Sequence, residues 1–107
     1  MVVYSAGANY KEYTANVNFG GYIGADQSYS VEATSRDEAL EMIRDLAADD
    51  LEVNDVEDLG DGDWEVTVGF AGFIGVEETY SVYEEDEDAA YESALAEAKD
   101  DLEIEFI

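Results

Sequence analysis

The sequence predicts an α+β domain built from two copies of a strand–strand–helix–strand (ββαβ) unit. First, the hexapeptide "FGGYIG" at 19–24 returns 51 residues later as "FAGFIG" at 70–75. Second, apolar and polar residues alternate on both sides of each hexapeptide, which is typical of strands. Third, an apolar stripe with helical spacing follows each strand pair.

The repeat extends well beyond the hexapeptide. When residues 17–56 are aligned with 68–107 without a gap, 16 of the 40 positions are identical, against about two or three expected by chance. We infer a tandem duplication, with repeats 13–56 and 64–107 joined by the glycine-containing linker 57–63. One copy of ~45 residues would bury too small a core, so we expect a single domain over 1–107.

Two alternating runs in each copy predict a β-hairpin. The first runs are 13–19 and 64–70, and the second runs are 28–33 and 79–84. Because a glycine-rich segment connects the runs in both copies, the strands should pair antiparallel. The inward-facing positions would be Ala15, Val17, Phe19, Tyr29 and Val31, with Val66, Val68, Phe70, Tyr80 and Val82 in the second copy.

The hexapeptides are expected to bend the chain. Gly21 and Gly24, like their counterparts Gly72 and Gly75, would supply the bend or a bulge. We expect the residue pairs Tyr22–Ile23 and Phe73–Ile74 to fold back onto the core, with an exposed apolar contact patch as the alternative. A phosphate-binding loop is disfavoured, because no Lys or Ser/Thr follows in the P-loop pattern.

A helix and a closing strand complete each unit. Ser35 with Glu38 has capping-box spacing, and Asp86 is the cap expected in the second copy. The predicted apolar stripes are Ala39, Leu40, Ile43, Leu46 and Ala47, and then Tyr91, Ala94, Leu95 and Ala98. Short strands should close the units at 51–53 and 102–107. The expected assembly is a pseudo-two-fold, antiparallel-rich sheet with two helices on one face.

Charge is the strongest compositional signal. The chain carries 29 Asp and Glu against 4 Lys and Arg, for a net charge of −25. Duplex DNA carries one negative charge per ~1.7 Å of axis, so 25 charges correspond to about 42 Å of DNA. Nucleic acids and anionic membranes should be repelled, so we expect a basic protein as partner. The distribution is uneven, since Lys11 and Glu12 are the only charged residues in 1–25.

Several classes of function are disfavoured by what the composition lacks. The chain has no Cys and no His, which excludes disulfides, thiol nucleophiles and imidazole proton transfer. No nucleophile elbow, HExxH or Walker pattern occurs, and close carboxylate pairs carry no information among 29 acids. We therefore expect a protein that is not an enzyme and needs no cofactor.

A dedicated metal site and a membrane location are also not expected. Asp58, Asp61 and Asp63 do not hold the register of an EF-hand loop, so no calcium site is predicted. The start of the chain is too short and too polar for a signal peptide, and no apolar run approaches a membrane span. The expected location is the cytoplasm.

Acidic side chains form two patterns that indicate a binding surface. In the first helix, acids recur every four residues, a rise of ~6 Å per step, where most helices alternate Lys or Arg with acids. The second helix partly repeats this row, with Ala96 at the missing position. The run "EEDED" at 84–88 exceeds what a helix N-terminus needs. The predicted partner-binding residues are Asp37, Glu41, Asp45, Asp49, Glu77, Glu78, Glu84, Glu85, Asp86, Glu87, Asp88 and Glu92.

In size, acidity and lack of catalytic residues, the chain resembles the small phage-encoded DNA mimics of the anti-CRISPR and anti-restriction type. Its "GYIG" and "SYSVEA" phrases are also similar to short proteins of phages and mobile elements. The resemblance is one of class. It implies an inhibitor, monomeric or homodimeric, that binds the basic nucleic-acid channel of a nuclease such as a CRISPR effector in the host cytoplasm and blocks DNA binding.

Two alternatives remain open. The first is an acidic adaptor or assembly protein for a basic partner, which differs from the mimic only in the partner's identity. The second is a halophilic protein whose charge serves solubility, for which acids should be spread evenly. The neutral first 25 residues and the cluster at 84–88 count against an even spread.

Overall fold

The computed structural model describes residues 9–107, which form six strands and two helices. In chain order the elements are β1 (Lys11–Phe19), β2 (Asp26–Ala33), α1 (Arg36–Ala48), β3 (Leu51–Gly60), β4 (Asp63–Phe70), β5 (Glu77–Tyr83), α2 (Glu87–Asp100) and β6 (Leu102–Phe106). The fold class is α+β, and the order of elements is that of two consecutive ββαβ units.

The strands form two three-stranded antiparallel sheets, so the expectation of one sheet is wrong. Sheet 1 has the order β2–β1–β6, and sheet 2 has the order β3–β4–β5. The reason is that each closing strand pairs with the hairpin of the other unit: β3 runs directly into β4, and β6 returns to β1. Helix α1 packs on sheet 1 and α2 on sheet 2.

The predicted linker 57–63 is instead the tip of the β3–β4 hairpin. Strand β3 continues to Gly60, which lies opposite Asp63 in the register. The two residues between them, Asp61 and Gly62, have φ of 56° and 85°. Positive φ at both central positions is what a type I′ turn requires, and Asp-Gly is a favoured pair for it. The two repeats are therefore joined by a continuous hairpin.

The pattern of buried side chains repeats every 51 residues, as the sequence does. Ten residues of the first copy are buried, and nine of them have a buried counterpart 51 positions later. The exception is Ala33, whose counterpart is the half-buried Glu84. All the buried residues form one hydrophobic cluster. At its centre the rings of Phe19 and Phe70 lie 6.1 Å apart between centroids, which joins the two sheets.

Both predicted helix starts are confirmed. Ser35 accepts a hydrogen bond from the backbone N–H of Glu38 at 3.1 Å, and Asp86 accepts one from Ala89 at 2.8 Å. Alanines line the buried face of α2 and, with Ile43, that of α1, so the sheets can approach closely. Leu46 was expected in the core and is instead 43% exposed, because only the face with Ala39, Ile43 and Ala47 meets the sheet.

A hydrogen bond between a tyrosine and an aspartate recurs in both copies. The Tyr29 hydroxyl donates to Asp50, and the Tyr80 hydroxyl donates to Asp101 Oδ2 at 2.6 Å. Each aspartate lies at the end of a helix and each tyrosine in the strand beneath it. These bonds therefore fasten the C-terminal ends of α1 and α2 to β2 and β5. Partial burial and the accepting carboxylate raise the pKa of both tyrosines above its usual value.

These tyrosines predict a loss of stability in alkali. Because the pKa of each is higher in the folded protein than in the unfolded chain, the stabilisation is fully present below the ordinary tyrosine pKa of ~10 and is lost as the pH rises above it. Replacing both with phenylalanine (Y29F/Y80F) should destabilise the protein at neutral pH, and the deficit should shrink above pH ~10. Urea unfolding from neutral to alkaline pH measures this; a deficit independent of pH would contradict it.

The contact between the two sheets predicts a large effect of one aromatic side chain. Truncating the buried Phe70 (F70A) should cost about 3–5 kcal/mol, because it removes the ring that meets Phe19 and leaves a cavity. Chemical denaturation followed by circular dichroism measures the change. The control is I74A four residues later, at a fully exposed side chain, which should change stability by less than about 0.5 kcal/mol. Equal effects of the two variants would contradict the packing described.

Candidate functional site

The two glycine-rich turns present isoleucines to solvent. Gly24 and Gly75 adopt φ of 80° and 79°, the left-handed region that the predicted bend requires. The half-buried Phe73 packs on the core as expected. Ile23 and Ile74, however, are 104% and 101% exposed, so the expectation that they fold back onto the core is wrong. Tyr22 is also exposed, at 37%, so of the four residues expected to fold back only Phe73 packs on the core.

The acids of the protein are almost entirely uncompensated. All 29 lie within the described residues, and none of their side chains is buried. Within residues 9–107 the one ion pair joins Lys99 Nζ to Asp45 Oδ1 at 2.6 Å. Another cation, Arg36, lies with its Cζ 4.8 Å from the centroid of the Phe106 ring. Most carboxylates are thus available to an outside partner.

The predicted row of acids on α1 is exposed along its length and consists of Asp37, Glu41, Asp45 and Asp49. Asp37 lies in the first turn, where a negative charge is favourable, and Asp49 is the C-cap, where it is unfavourable. Asp45 carries the ion pair with Lys99 and is the one member without an acidic counterpart in the second copy. Asp37, Glu41 and Asp49 therefore form the uncompensated part of the row.

A second concentration of charge lies where the β3–β4 hairpin meets the start of α2. The Glu84 N–H donates to the Gly62 carbonyl at 2.9 Å, and a shallow groove there is lined by Asp61, Gly62, Tyr83, Glu84 and Glu85. We call this region the acidic end; its acids are Asp58, Asp61, Asp63, Glu84, Glu85, Asp86, Glu87 and Asp88. Segments 57–63 and 84–88 are separate in the sequence, and the β4–β5 register, with Asp63 opposite Tyr83, brings them together.

Three members of the acidic end have structural roles, the first being Asp58, which accepts from the Gly60 N–H at 2.9 Å. The Glu84 carboxylate accepts a hydrogen bond from Ser93, and its carbonyl accepts one from Trp64 Nε1 at 3.0 Å. Asp86 is the cap of α2. Charge reversal at any of these positions would disturb folding as well as binding. The free charges are therefore the neighbours, such as Asp63, Glu85 and Asp88.

The remaining predicted acids lie apart from one another. The charge of Glu87 raises the pKa of the Tyr91 hydroxyl, which marks negative potential along the first turns of α2, the helix that also carries Glu92. Glu77 and Glu78 begin β5, roughly 20 Å along the strand from the acidic end. There they adjoin the glycine-rich turns, since the Tyr22 hydroxyl donates to the Glu77 carbonyl at 2.9 Å, so they do not form one patch with 84–88.

The sheet faces that point away from the helices carry acids that the sequence analysis missed. On sheet 2, Glu57 lies directly opposite Glu65 across the strands. On sheet 1, Glu12 lies directly opposite Glu32. Like charges at such positions destabilise a sheet. The pairs depend on register, which alternation alone does not give. These opposed pairs lower the stability of the fold, which indicates that the negative charge of the surface serves another purpose.

The charge is nevertheless uneven between the two sheets. On the outer face of sheet 1, Thr14 pairs with Ser30 at 2.8 Å between their oxygens and Ser28 donates to Asn16 at 2.7 Å, although Glu105 lies opposite Asn16 on the same face. The strands of sheet 2 carry eight acids, among them the opposed pair Glu57 and Glu65, against five in the strands of sheet 1. Negative charge is thus concentrated toward sheet 2 and the acidic end.

The dimensions allow the charge density to be compared with that of DNA. The principal-axis extents are 63 × 31 × 16 Å. The net charge of −25 spread over 63 Å is one negative charge per about 2.5 Å, against ~1.7 Å for duplex DNA. The protein therefore carries roughly two-thirds of the linear charge of a duplex.

Within the described part of the chain, no group of three or more acidic side chains is arranged to hold a metal ion. Neither helix there is long and apolar enough to cross a membrane. Comparison of the chain with models of protein families, with curated proteins and with solved structures finds no match. The functional conclusion therefore rests on the geometry and the charge of the chain.

The opposed acids predict a salt-dependent gain in stability on neutralisation. Replacing Glu65 with glutamine (E65Q) removes the repulsion from Glu57 and should raise stability by about 0.2–1 kcal/mol at low salt. The gain should fade between about 0.05 M and about 0.5 M NaCl as the Debye length shortens. The matched control is E105Q, an exposed acid opposite Asn16. Melting curves across this salt range measure both variants; equal gains for the two would contradict a specific repulsion.

Proposed function

We propose that this protein is an inhibitor that mimics DNA and occupies the basic nucleic-acid channel of an RNA-guided host-defence nuclease. The observation that carries the proposal is the state of the acids: none is buried, and one ion pair is present in residues 9–107. In an ordinary domain, Lys and Arg on the same surfaces would compensate them. Here an outside partner is the natural source of compensation.

Carboxylates can serve as surrogates for phosphates. Each can accept charge-assisted hydrogen bonds from Arg or Lys in a nuclease channel, including the arginines that read a short DNA motif next to the target. The α1 row rises ~6 Å per step, and acids two apart on a strand lie at roughly 6.6 Å. Both spacings are comparable to the separation of phosphates along one DNA strand.

We also propose that the two halves are related by an approximate two-fold axis near Phe19 and Phe70. The repeated order of elements and the nine pairs of buried positions support this relation. It would display acids of α1 and α2 in equivalent places. The acidic end, which has no comparably charged counterpart in the first copy, would then distinguish one end of the inhibitor from the other.

The unequal distribution of charge favours a ligand-binding role over halophilic adaptation. Acids adapted to salt should be spread evenly, whereas residues 1–25 hold one acid and residues 84–88 hold five in a row. An adaptor for a basic protein would share the acidic surface with a mimic. Competition with DNA separates these two functions, because only the mimic must exclude DNA from the partner.

The test is competition for guide-loaded, Cas9-type nucleases. Fluorescence anisotropy of a labelled duplex carrying the target sequence should fall as the protein is added, because DNA and protein cannot bind together. The affinity of the protein for the nuclease should decrease steeply as salt rises. Formation of a ternary complex with DNA, or an affinity indifferent to salt, would argue against the mimic and favour the adaptor.

Charge-reversal variants test which surface of the protein contacts the nuclease. The variant D63K/E85K/D88K changes free acids of the acidic end and should weaken binding by roughly 100-fold, at about 1 kcal/mol per contact. The control E12K/E32K/E105K makes the same change in net charge on sheet 1 and should weaken binding much less. Equal losses would show that only total charge matters. A third variant, D37K/E41K, measures the share of the α1 row.

A further inference from the structure

The two glycine-rich turns have a role that folding does not explain. We propose that Ile23 and Ile74 are paired apolar anchors that insert into pockets on a basic protein partner, with the acids beside the turns contacting the basic rim of those pockets. The inference rests on the proposed function for the sign of the partner's charge. It assigns the binding surface to the centre of the molecule as well as to its acidic end.

Each isoleucine is held outward two positions before a residue that faces inward. Ala25 and Val76, two positions after the isoleucines, are 5% and 4% exposed. Phe73, immediately before Ile74, packs against Phe70 with ring centroids 6.4 Å apart. Tyr22, directly before Ile23, is 37% exposed, whereas both isoleucines lie wholly in solvent. Their exposure is therefore a fixed property of the turn.

The turns are held in one conformation by hydrogen bonds. In the first turn, Asn18 Nδ2 donates to the Tyr22 carbonyl at 2.7 Å. In the second, the Phe73 N–H donates to the Phe70 carbonyl at 3.0 Å. An anchor on a preorganised turn loses little conformational entropy on binding, so most of the gain from its burial remains as affinity.

The turns also lie next to one another. They begin directly after Phe19 and Phe70, whose rings meet at the centre of the molecule. The Tyr22 hydroxyl reaches across to donate to the Glu77 carbonyl at 2.9 Å, at the end of the second turn. Two anchors on adjoining turns can engage one partner together.

The repeat supplies independent support. Of the 40 aligned positions, 24 differ between the copies, and 16 are identical. Most of the shared apolar residues are buried, which packing explains. Ile23 and Ile74 share the same residue type without any burial. A contact with a partner accounts for keeping a large apolar side chain in solvent at both places.

The charged residues around the turns indicate the charge of the partner that would bind there. Asp26 accepts from Asn18 Nδ2 at 2.7 Å, and Glu77 accepts from Asn54 Nδ2 at 2.7 Å. These bonds hold acids beside the turns, while segments 19–28 and 70–79 contain no Lys or Arg. A second copy of this chain, also at −25, or an anionic membrane would be repelled. A basic protein surface with small apolar pockets is complementary.

The test compares I23S/I74S with the native protein on a panel of purified basic proteins. The panel contains guide-loaded Cas9-type nucleases and, as basic proteins that are not nucleases, core histones. Loss of each anchor should weaken binding by about 10-fold to 100-fold. The matched control is I107S, because Ile107 is also exposed, at 82%, and lies beyond the end of β6. It should bind like the native protein, and circular dichroism should show all three folded alike.

Each outcome decides between the proposals. Binding to a nuclease that I23S/I74S weakens and I107S does not supports both the anchors and the proposed function. Equal binding of the native protein and I23S/I74S to a nuclease overturns the anchors and leaves the proposed function standing. Isoleucine-dependent binding confined to the histones overturns the proposed function and keeps the anchors. Absence of binding across the panel overturns both.

Discussion

The return of β6 to the first sheet is the constraint on which the rest of the structure depends. Through the register from Ala15–Phe106 to Phe19–Leu102, the last strand of the chain completes the sheet that the first strand began. Phe106 then packs edge-on against Tyr13 and beneath Arg36, at the start of α1. Neither repeat contains a complete sheet, so each half depends on the other. The result is a single body long enough to display acids over 63 Å.

Repulsion among the carboxylates destabilises the fold, and a few local hydrogen bonds and one ion pair within residues 9–107 offset part of this repulsion. Net charge far from zero destabilises a compact state through self-repulsion. Asp86 caps α2, Asp50 and Asp101 accept from tyrosines, and Lys99 bridges α2 to Asp45 on α1. Opposed pairs such as Glu57 and Glu65 have no such compensation. The fold thus uses a few acids for its own structure and leaves most of them for its surface.

Much of the local structure could be predicted from the sequence, because the same pattern of strands and helix is visible in both copies of the repeat. The strands, the helices and the caps Ser35 and Asp86 follow from alternation, spacing and side-chain chemistry. Strand partners could not be predicted, because alternation specifies which face of a strand is apolar and says nothing about its neighbour. The opposed acids were missed for the same reason, since register decides them.

The candidate site was predictable in part. The exposure of the α1 row follows from helical spacing, whereas the acidic end depends on the β4–β5 register, which places Asp63 opposite Tyr83 and so brings 57–63 beside 84–88. The direction of Ile23 could not be inferred from its apolarity. It depends on the positive φ of Gly24 and on the anchoring of Tyr22, which are properties of the folded turn.

The most direct test of the central claim is a cryo-EM structure of this protein bound to a guide-loaded nuclease. A DNA mimic should lie within the channel that otherwise holds DNA, with carboxylates of the acidic end, such as Glu85 and Asp88, within hydrogen-bond distance of channel arginines and lysines. A protein seated outside the channel, with these carboxylates facing solvent, would contradict the account.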